Sequence, residues 1–265
     1  MTIPVVLTIS GHDPTGGAGI QADIEAIVAA GCRATSAVTC LTVQDTASVH
    51  QVSASPARLL DDQIRTLLAD MPIAVFKIGL IPDIATLSVI SVVLRDHPDT
   101  PVVLDPVLAS GDGTELTEER LLSGFHEQLL PRVTLITPNS IEARRLSGAR
   151  QLDECARILL LRGCRAVLIT GTHESGNQVI NRLYQREAGR IVSRWPRLQG
   201  SFHGSGCTLA SSAAALIARG VPLEKAVQQA LEYTWTSLSH GVRPGNGQLL
   251  PDRLFALHRQ RVPAS

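Results

Sequence analysis

Lysine is nearly missing from this sequence: Lys77 and Lys225 are the only two, and arginine supplies almost all of the positive charge. Neither lysine follows a glycine-rich run, so the G-x-x-x-x-G-K-[ST] phosphate loop is excluded. The protein-kinase signatures are missing as well, with no H-R-D, no D-F-G and no lysine in a V-A-I-K context. Net charge is also absent. The 24 basic and 24 acidic residues balance, so no global field recruits nucleic acid or an anionic membrane, and the expected partner is a small molecule. No segment approaches the roughly 20 apolar residues that cross a bilayer, and Met1-Thr-Ile-Pro4 lacks the basic start of a secretion signal. The five cysteines, Cys32, Cys40, Cys155, Cys164 and Cys207, form no C-x-x-C pair and have no histidines at zinc spacing. Such usage fits a reduced cytoplasm. Repeats, low-complexity tracts and linkers are not found.

What is present is a chain of 265 residues, 44% of them apolar, enough for a large core in one α/β domain spanning 1–265. Val5 to Ile9 is a short β-branched run closed by glycine and aspartate, which reads as a buried parallel strand feeding a loop. A helix from about Ile20 to Ala30 follows. Further strands are expected at Ala37 to Thr42, Ala74 to Ile78, Val102 to Leu104, Thr134 to Ile136 and Ala166 to Ile169. Helical spacing recurs over Pro56 to Asp70, Ile84 to Arg95, Glu118 to Leu130 and Leu152 to Arg162. The alternation predicts βαβ units, hence a mostly parallel central sheet with helices on both faces. Beyond Gly171 the pattern changes: Gln178 to Tyr184 and Arg190 to Trp195 read as an antiparallel edge hairpin turning through Glu187-Ala-Gly189. Helices from about Cys207 to Arg219 and Pro222 to Ser239 follow.

The sharpest chemical feature is His203-Gly-Ser-Gly-Cys207-Thr208 ahead of a small-residue helix. Glycines there leave the first amides of the helix free to converge on an anion, and the helix dipole adds positive potential. Gly204, Ser205 and Gly206 are therefore candidates for an oxyanion or phosphate cradle. Cys207 sits within it, where a helix start lowers a thiol's pKa and makes it a base or nucleophile; a small buried cysteine under a turn is the plainer alternative. A second glycine-rich stretch, Gly11-His-Asp-Pro-Thr-Gly-Gly-Ala-Gly19-Ile-Gln-Ala-Asp23, lies where a ligand binds above an open α/β sheet. Its segment Gly17 to Ala22 meets a relaxed dinucleotide fingerprint with Asp45 as the acidic partner, although too many residues separate it from the strand.

Thr137-Pro-Asn139-Ser-Ile-Glu142 opens a helix directly after a strand. Alone, Asn139 and Glu142 have the spacing of a helix cap and its capping-box partner; with phosphate nearby, the same pair can order a hydrated magnesium. Asp105-Pro-Val107 ends another strand with a carboxylate at the same rim, either a ligand or a loop cap. Asp23 and Gln44 fall within reach of a ligand above the sheet, or are ordinary surface groups.

Together these segments resemble the hydroxymethylpyrimidine and phosphomethylpyrimidine kinases of thiamine biosynthesis, within the ribokinase-like superfamily. The resemblance spans nearly the whole chain. It is carried by Leu7-Thr-Ile-Ser-Gly-His-Asp-Pro-Thr-Gly-Gly-Ala-Gly-Ile-Gln-Ala-Asp23, Thr42-Val-Gln-Asp-Thr46, Lys77-Ile-Gly79, Asp105-Pro-Val107, Thr137-Pro-Asn139 and His203-Gly-Ser-Gly-Cys207-Thr208. It implies a three-layer ribokinase-like fold and an ATP- and Mg2+-dependent kinase of a hydroxymethyl group on a small pyrimidine. By resemblance Cys207 is the catalytic base, and the amides of Gly204 to Cys207 stabilise the transferring phosphoryl group. Gly11, Asp23 and Gln44 surround the pyrimidine, and Val107 packs on its ring. Asn139, Glu142, Thr170 and Gly171 take the nucleotide side, with Asp105 and Glu142 for the metal. Relatives often dimerise, and the Val179 to Tyr184 strand is a candidate edge for a homodimer.

The sequence also departs from the family. Its usual Lys-Gly-Gly-His at the nucleotide-side strand end is Thr170-Gly-Thr-His173 here, leaving Arg182 or Arg243 to supply the missing charge, and Leu80-Ile-Pro82 replaces a methionine-containing run. A pyridoxal-type kinase, a non-catalytic ligand-sensing module and, from the glycine fingerprint alone, a nicotinamide-dependent oxidoreductase are the alternatives.

Overall fold

The computed structural model describes residues 2–108, 119–186 and 189–259. Glu118, the expected start of one helix, and Glu187 and Ala188 of the expected hairpin turn lie outside them. The described residues form a nine-stranded sheet in the order β3-β2-β1-β4-β5-β6-β7-β8-β9. Its strands are β1 (Val5–His12), β2 (Arg33–Gln44), β3 (Val49–Ala54), β4 (Ile73–Ile78), β5 (Val102–Leu104), β6 (Leu135–Ile136), β7 (Ala166–Ile169), β8 (Gln178–Gln185) and β9 (Gly189–Pro196). The run from β2 to β7 is parallel, while β3, β8 and β9 pair antiparallel at the two margins.

Strand alternation divides the core into two layers. Leu7, Ile9, Phe76, Ile78, Leu104 and Ile136 point to one face, under α2 (Ala57–Asp70), α3 (Ile84–Asp96), α4 (Glu119–Gly124), α5 (Ser140–Ser147) and α6 (Leu152–Leu161). Val6, Val75, Val103 and Leu135 point to the other, under α1 (Gly19–Ala29), α7 (Ser205–Ala218) and α8 (Leu223–Ser239). The two-residue period of a strand therefore sends Lys77, between Phe76 and Ile78, toward α1 and α7. In α7 every residue from Cys207 to Leu216 is buried; its alanines and serines let it lie close to both the sheet and α8. A short α9 (Phe255–Arg259) follows at the end of the described chain, and among the described residues no helix is long and apolar enough to cross a membrane.

The structure changes several expectations. β1 runs through Gly11 to His12 and β2 reaches Gln44, so Gly11 belongs to a strand and the loop starts later. β3 was not legible in the sequence: its polar, half-exposed residues lack an apolar period, and pairing with Cys40 to Gln44 makes it a strand. Because His12 pairs with Leu41, the β2–β3 hairpin continues past the end of β1 as a flap, with Leu41 and Val43 outward. The helix expected to reach Leu130 is α4 followed by a π-turn over Phe125–Leu129. Finally, β8 is hydrogen-bonded on both sides, to β7 and β9, so Val179 to Tyr184 is no free edge; the outer strand is β9.

Candidate active site

β1 is the point at which the strand order reverses, since β2 lies on one side of it and β4 on the other. Loops leaving adjacent strands there diverge and leave a crevice. Gly204 stands at its mouth with φ of 79°, a left-handed conformation that glycine adopts without strain. A side chain at Gly204 would collide with the Gly17 carbonyl oxygen, so the two glycine-rich loops touch backbone to backbone. The first intrahelical bond of α7 runs from Thr208 N–H to Gly204 O at 3.0 Å, and Gly204 provides no side-chain cap. The amides of Ser205, Gly206 and Cys207 are thus the free donors of the helix start. Arg253, almost fully buried, fastens this junction: it donates to Thr208 Oγ1 at 2.8 Å, to Gly16 O at 3.3 Å and to the Gly17 carbonyl, and pairs with Glu25 at 3.0 Å.

The thiol of Cys207 is buried in the floor of the cradle, and its pKa is pushed up to about 12. Burial is the main cause and Asp105 and Asp23 add to it, against the opposing pull of Lys77 and a Gly19 backbone hydrogen bond. This corrects the expectation of a thiol made acidic by its helix: desolvation outweighs the dipole. Asp105 is raised too, chiefly by burial and then by Asp23, with Lys77 and a hydrogen bond from Cys207 opposing. Its Oδ2 is buried without a hydrogen-bond partner, and its carboxylate lies beside Gly206, where a Cβ would be 3.4 Å from Oδ1.

Beneath the thiol is a buried ionic network. Lys77 Nζ lies 2.7 Å and 2.9 Å from the two carboxylate oxygens of Asp23, both residues being inaccessible to solvent. Thr8 and Ser211 hydroxyls donate to the same carboxylate at 2.5 Å and 2.6 Å. Burial alone would favour neutral lysine, but Asp23, then Cys207 and Asp105, hold the ammonium charged and raise its pKa. Asp23 is accordingly no wall of a ligand pocket: its carboxylate is consumed by Lys77, Thr8 and Ser211. A lysine inside the apolar run Ile73–Ile78 is the sequence signal for this network, because a buried charge requires a partner.

The flap brings Gln44 over the first loop. Its amide is 2.9 Å from His203 Nε2, which in turn lies 2.8 Å from Asp13 Oδ2. Asp13 also accepts from Thr15 N–H, Thr15 Oγ1 and Ala18 N–H. Burial works against its ionisation, but these bonds, led by His203, hold its pKa below the usual value. Gly11 is buried in β1 with its carbonyl against the start of α1, where only a glycine fits at position 19. Val107, half-buried beyond β5, donates its N–H to the Asp105 carbonyl at 2.9 Å. Asp45 instead closes the β2–β3 turn: it accepts from the amides of Ala47 and Ser48 and bonds His50, and these contacts hold its pKa near 2. That occupation removes the acid of the dinucleotide fingerprint.

On the other side of the crevice Asn139 Oδ1 accepts from the amides of Ile141 and Glu142, each at 2.9 Å, while Glu142 Oε2 accepts from Asn139 N–H at 2.8 Å. The capping box is complete, so the resemblance does not displace the capping role; the single side-chain oxygen of Asn139 and one of the two of Glu142 are spent on it. Glu142 is pushed up to about 8 by burial and by the charge of Asp105, against backbone bonds from Asn139 and Leu108. A carboxyl raised by burial and by a neighbouring carboxylate suits a bound cation, whose charge would offset both. Among the described residues no cluster of three or more His, Cys, Asp or Glu could hold a metal; magnesium needs only one or two carboxylates beside phosphate oxygens.

Thr170 sits beside Asn139 in a parallel bridge, and Gly171 is pressed against the Ile180 carbonyl with its N–H bonded to Asn181 at 3.2 Å. Of the two candidate arginines, Arg182 pairs with Ile169 on the adjoining strand. Arg243 bonds the Gly247 carbonyl at 2.6 Å in the loop against Thr46, which assigns it to the flap side.

A family model described as phosphomethylpyrimidine kinase matches residues 13–252. A hydroxymethylpyrimidine/phosphomethylpyrimidine kinase of Synechococcus elongatus is 34% identical, over 94% of this chain and 96% of that one. A bifunctional thiamine biosynthesis protein of Geobacter sulfurreducens is 36% identical over 91% of this chain, which spans only 50% of the relative's length. The crystal structure of an ADP complex of Bacillus subtilis pyridoxal kinase superposes with a TM-score of 0.88 at 25% identity, covering 95% of this chain and 98% of that one. The fold is therefore ribokinase-like, and the chain belongs to the phosphomethylpyrimidine kinase family.

Proposed function

We propose that the protein transfers the ATP γ-phosphoryl group to the hydroxymethyl oxygen of 4-amino-5-hydroxymethyl-2-methylpyrimidine, to its monophosphate, or to both in turn, in the cytoplasm. The observation that carries this reading is the set of unspent amides of Ser205, Gly206 and Cys207 with the Cys207 sulfur beside them. Phosphoryl transfer needs little covalent help from a protein; positioned donors at the charge of the migrating group supply most of the rate. Gln44 and Val107 line the ring side, and Thr170, Gly171 and Arg182 stand on the nucleotide side. Asp105 and Glu142 would hold magnesium, whose charge would neutralise the triphosphate oxygens.

Cys207 takes the alcohol proton in this scheme. With its own proton in place the thiol donates to Asp105 and is no base. Once ionised, it is opposed first by burial and then by the charges of Asp105 and Asp23, and favoured by Lys77 and the Gly19 amide. Neutralising Asp105 therefore makes the thiolate easier to form. Replacing Cys207 by alanine is expected to lower kcat by about 10²–10⁴ while leaving substrate affinity largely intact; near wild-type turnover would remove the sulfur from the mechanism.

The deciding measurement is ADP release by the purified protein with magnesium-ATP and, separately, hydroxymethylpyrimidine, its monophosphate and pyridoxal, with product masses determined. Phosphorylated pyrimidine is the expected product. The likeness to a pyridoxal kinase supports the second reading, in which pyridoxal alone is turned over, and release with none of the three would return the chain to a ligand-sensing role.

A further inference from the structure

His203 links two parts of the crevice that the proposed reaction uses separately. It directly precedes Gly204 at the cradle, and its Nε2 lies 2.8 Å from Asp13 Oδ2 and 2.9 Å from the Gln44 amide. An ionised carboxylate offers only lone pairs, so the nitrogen facing Asp13 carries a proton. The low pKa of Asp13 agrees with this assignment.

The ends of a primary amide have the same shape, and hydrogen bonding decides which way it faces. The amide meets this protonated nitrogen through oxygen, and the single Nε2 proton is shared between Asp13 Oδ2 and that oxygen. That turns the amide nitrogen toward Thr42 Oγ1, 3.2 Å away on the other flank. Thr42 accepts there, because its single proton is given to the His12 carbonyl at 3.0 Å. Every donor in the chain Asp13, His203, Gln44, Thr42 and His12 then meets an acceptor. The opposite orientation would set two donors against each other at His203.

We propose that Asp13 and His203 are positioning residues that lock the Gln44 amide with its oxygen on the cradle side and its nitrogen on the Thr42 side, and thereby select a 4-aminopyrimidine over a 4-oxopyrimidine. The proposal rests on the pyrimidine-kinase reading. Each amide end keeps one free hydrogen-bonding position, so the locked group presents an acceptor and a donor in fixed order. In the proposed pose the hydroxymethyl group points at Cys207, the neighbouring ring substituent meets the cradle-side oxygen and the ring nitrogen meets the amide nitrogen. An amino group followed by an unprotonated ring nitrogen matches that order, as an amide matches adenine. A carbonyl followed by N–H reverses it at both atoms, leaving buried polar groups unpaired. The ring cannot turn over to recover the match, because the alcohol would then leave the cradle.

The test compares kcat/KM for 5-hydroxymethylpyrimidines carrying a 4-amino or a 4-oxo group. Wild type should favour the amino substrate by about 10². In His203→Phe the ratio should fall by about tenfold or more, mainly through KM, and His203→Gln, which restores an N–H donor, should recover part of it. A folded His203→Phe that keeps the wild-type ratio overturns the lock. Nitrogen-15 NMR of histidine-labelled wild type supplies a second measurement without any need for a folded variant: the His203 ring should show a proton on Nε2, and a bare Nε2 overturns the proposal. If wild type phosphorylates neither pyrimidine, the functional reading fails, while the ring measurement still decides whether the amide is locked as described.

Discussion

Glu142 should destabilise the ligand-free protein in a pH-dependent way that its amide analogue does not share. Its carboxyl is carried from an ordinary value of 4.5 to about 8 by burial and by Asp105. Below about pH 4.5 the group is protonated in both folded and unfolded chains. As the pH rises, the unfolded chain releases its proton first, so stability falls until the folded carboxyl also ionises near pH 8. The full displacement corresponds to about 5 kcal/mol as an upper bound; the partial exposure of the residue and its coupling to Asp105 bring the expectation to about 1–3 kcal/mol. Glutamine at this position retains an oxygen to accept from Asn139 N–H, which preserves the capping box. Urea unfolding of wild type and Glu142→Gln between pH 4.5 and pH 8.5 should therefore show equal stability at the acidic end and a more stable variant at the alkaline end. Magnesium-ADP should stabilise wild type at pH 8.5 more than it stabilises the variant. A stability difference that does not change with pH would refute the reasoning, because no proton would then be linked to folding at Glu142.

Lys77→Met should cost about 3–5 kcal/mol by urea denaturation, since it strands the buried Asp23 carboxylate, and adding Asp23→Asn should recover part of the loss; a cost below about 1 kcal/mol would contradict the ion pair. Gly204→Ala should lower kcat/KM by about 10² or more, because the new methyl meets the Gly17 carbonyl and displaces the amides behind it. Alkylation of Cys207 by iodoacetamide in the free protein should be slower than that of an ordinary cysteine by about 10² or more at pH 8, given a thiol held near 12, and Asp105→Asn should accelerate it. Equal rates in the two proteins would mean that Asp105 does not govern the thiol.

The parallel strands and most of the helices were legible because strands buried on both faces are written as short β-branched runs between turn residues. The cradle was legible for a related reason: glycines before a small-residue helix have few other uses, and the order of motifs along the chain carried the family. β3 left no signal, since its residues become a strand only by pairing with β2. The turn of His203 toward Asp13 and Gln44 was equally hidden, because it joins positions 13, 44 and 203, which no sequence window contains.

The sequence alone thus determined the alternating architecture, the unspent amides ahead of α7 and the family, all properties of local pattern. Only the tertiary structure decided the electrostatics. Asp23 left the ligand side for Lys77, the Cys207 thiol became a weaker acid than its helix position implied, and Asn139 kept its cap. Each outcome depends on burial and on charges contributed by distant strands. Desolvation is a property of what surrounds a group in space, and a sequence states only what precedes and follows it.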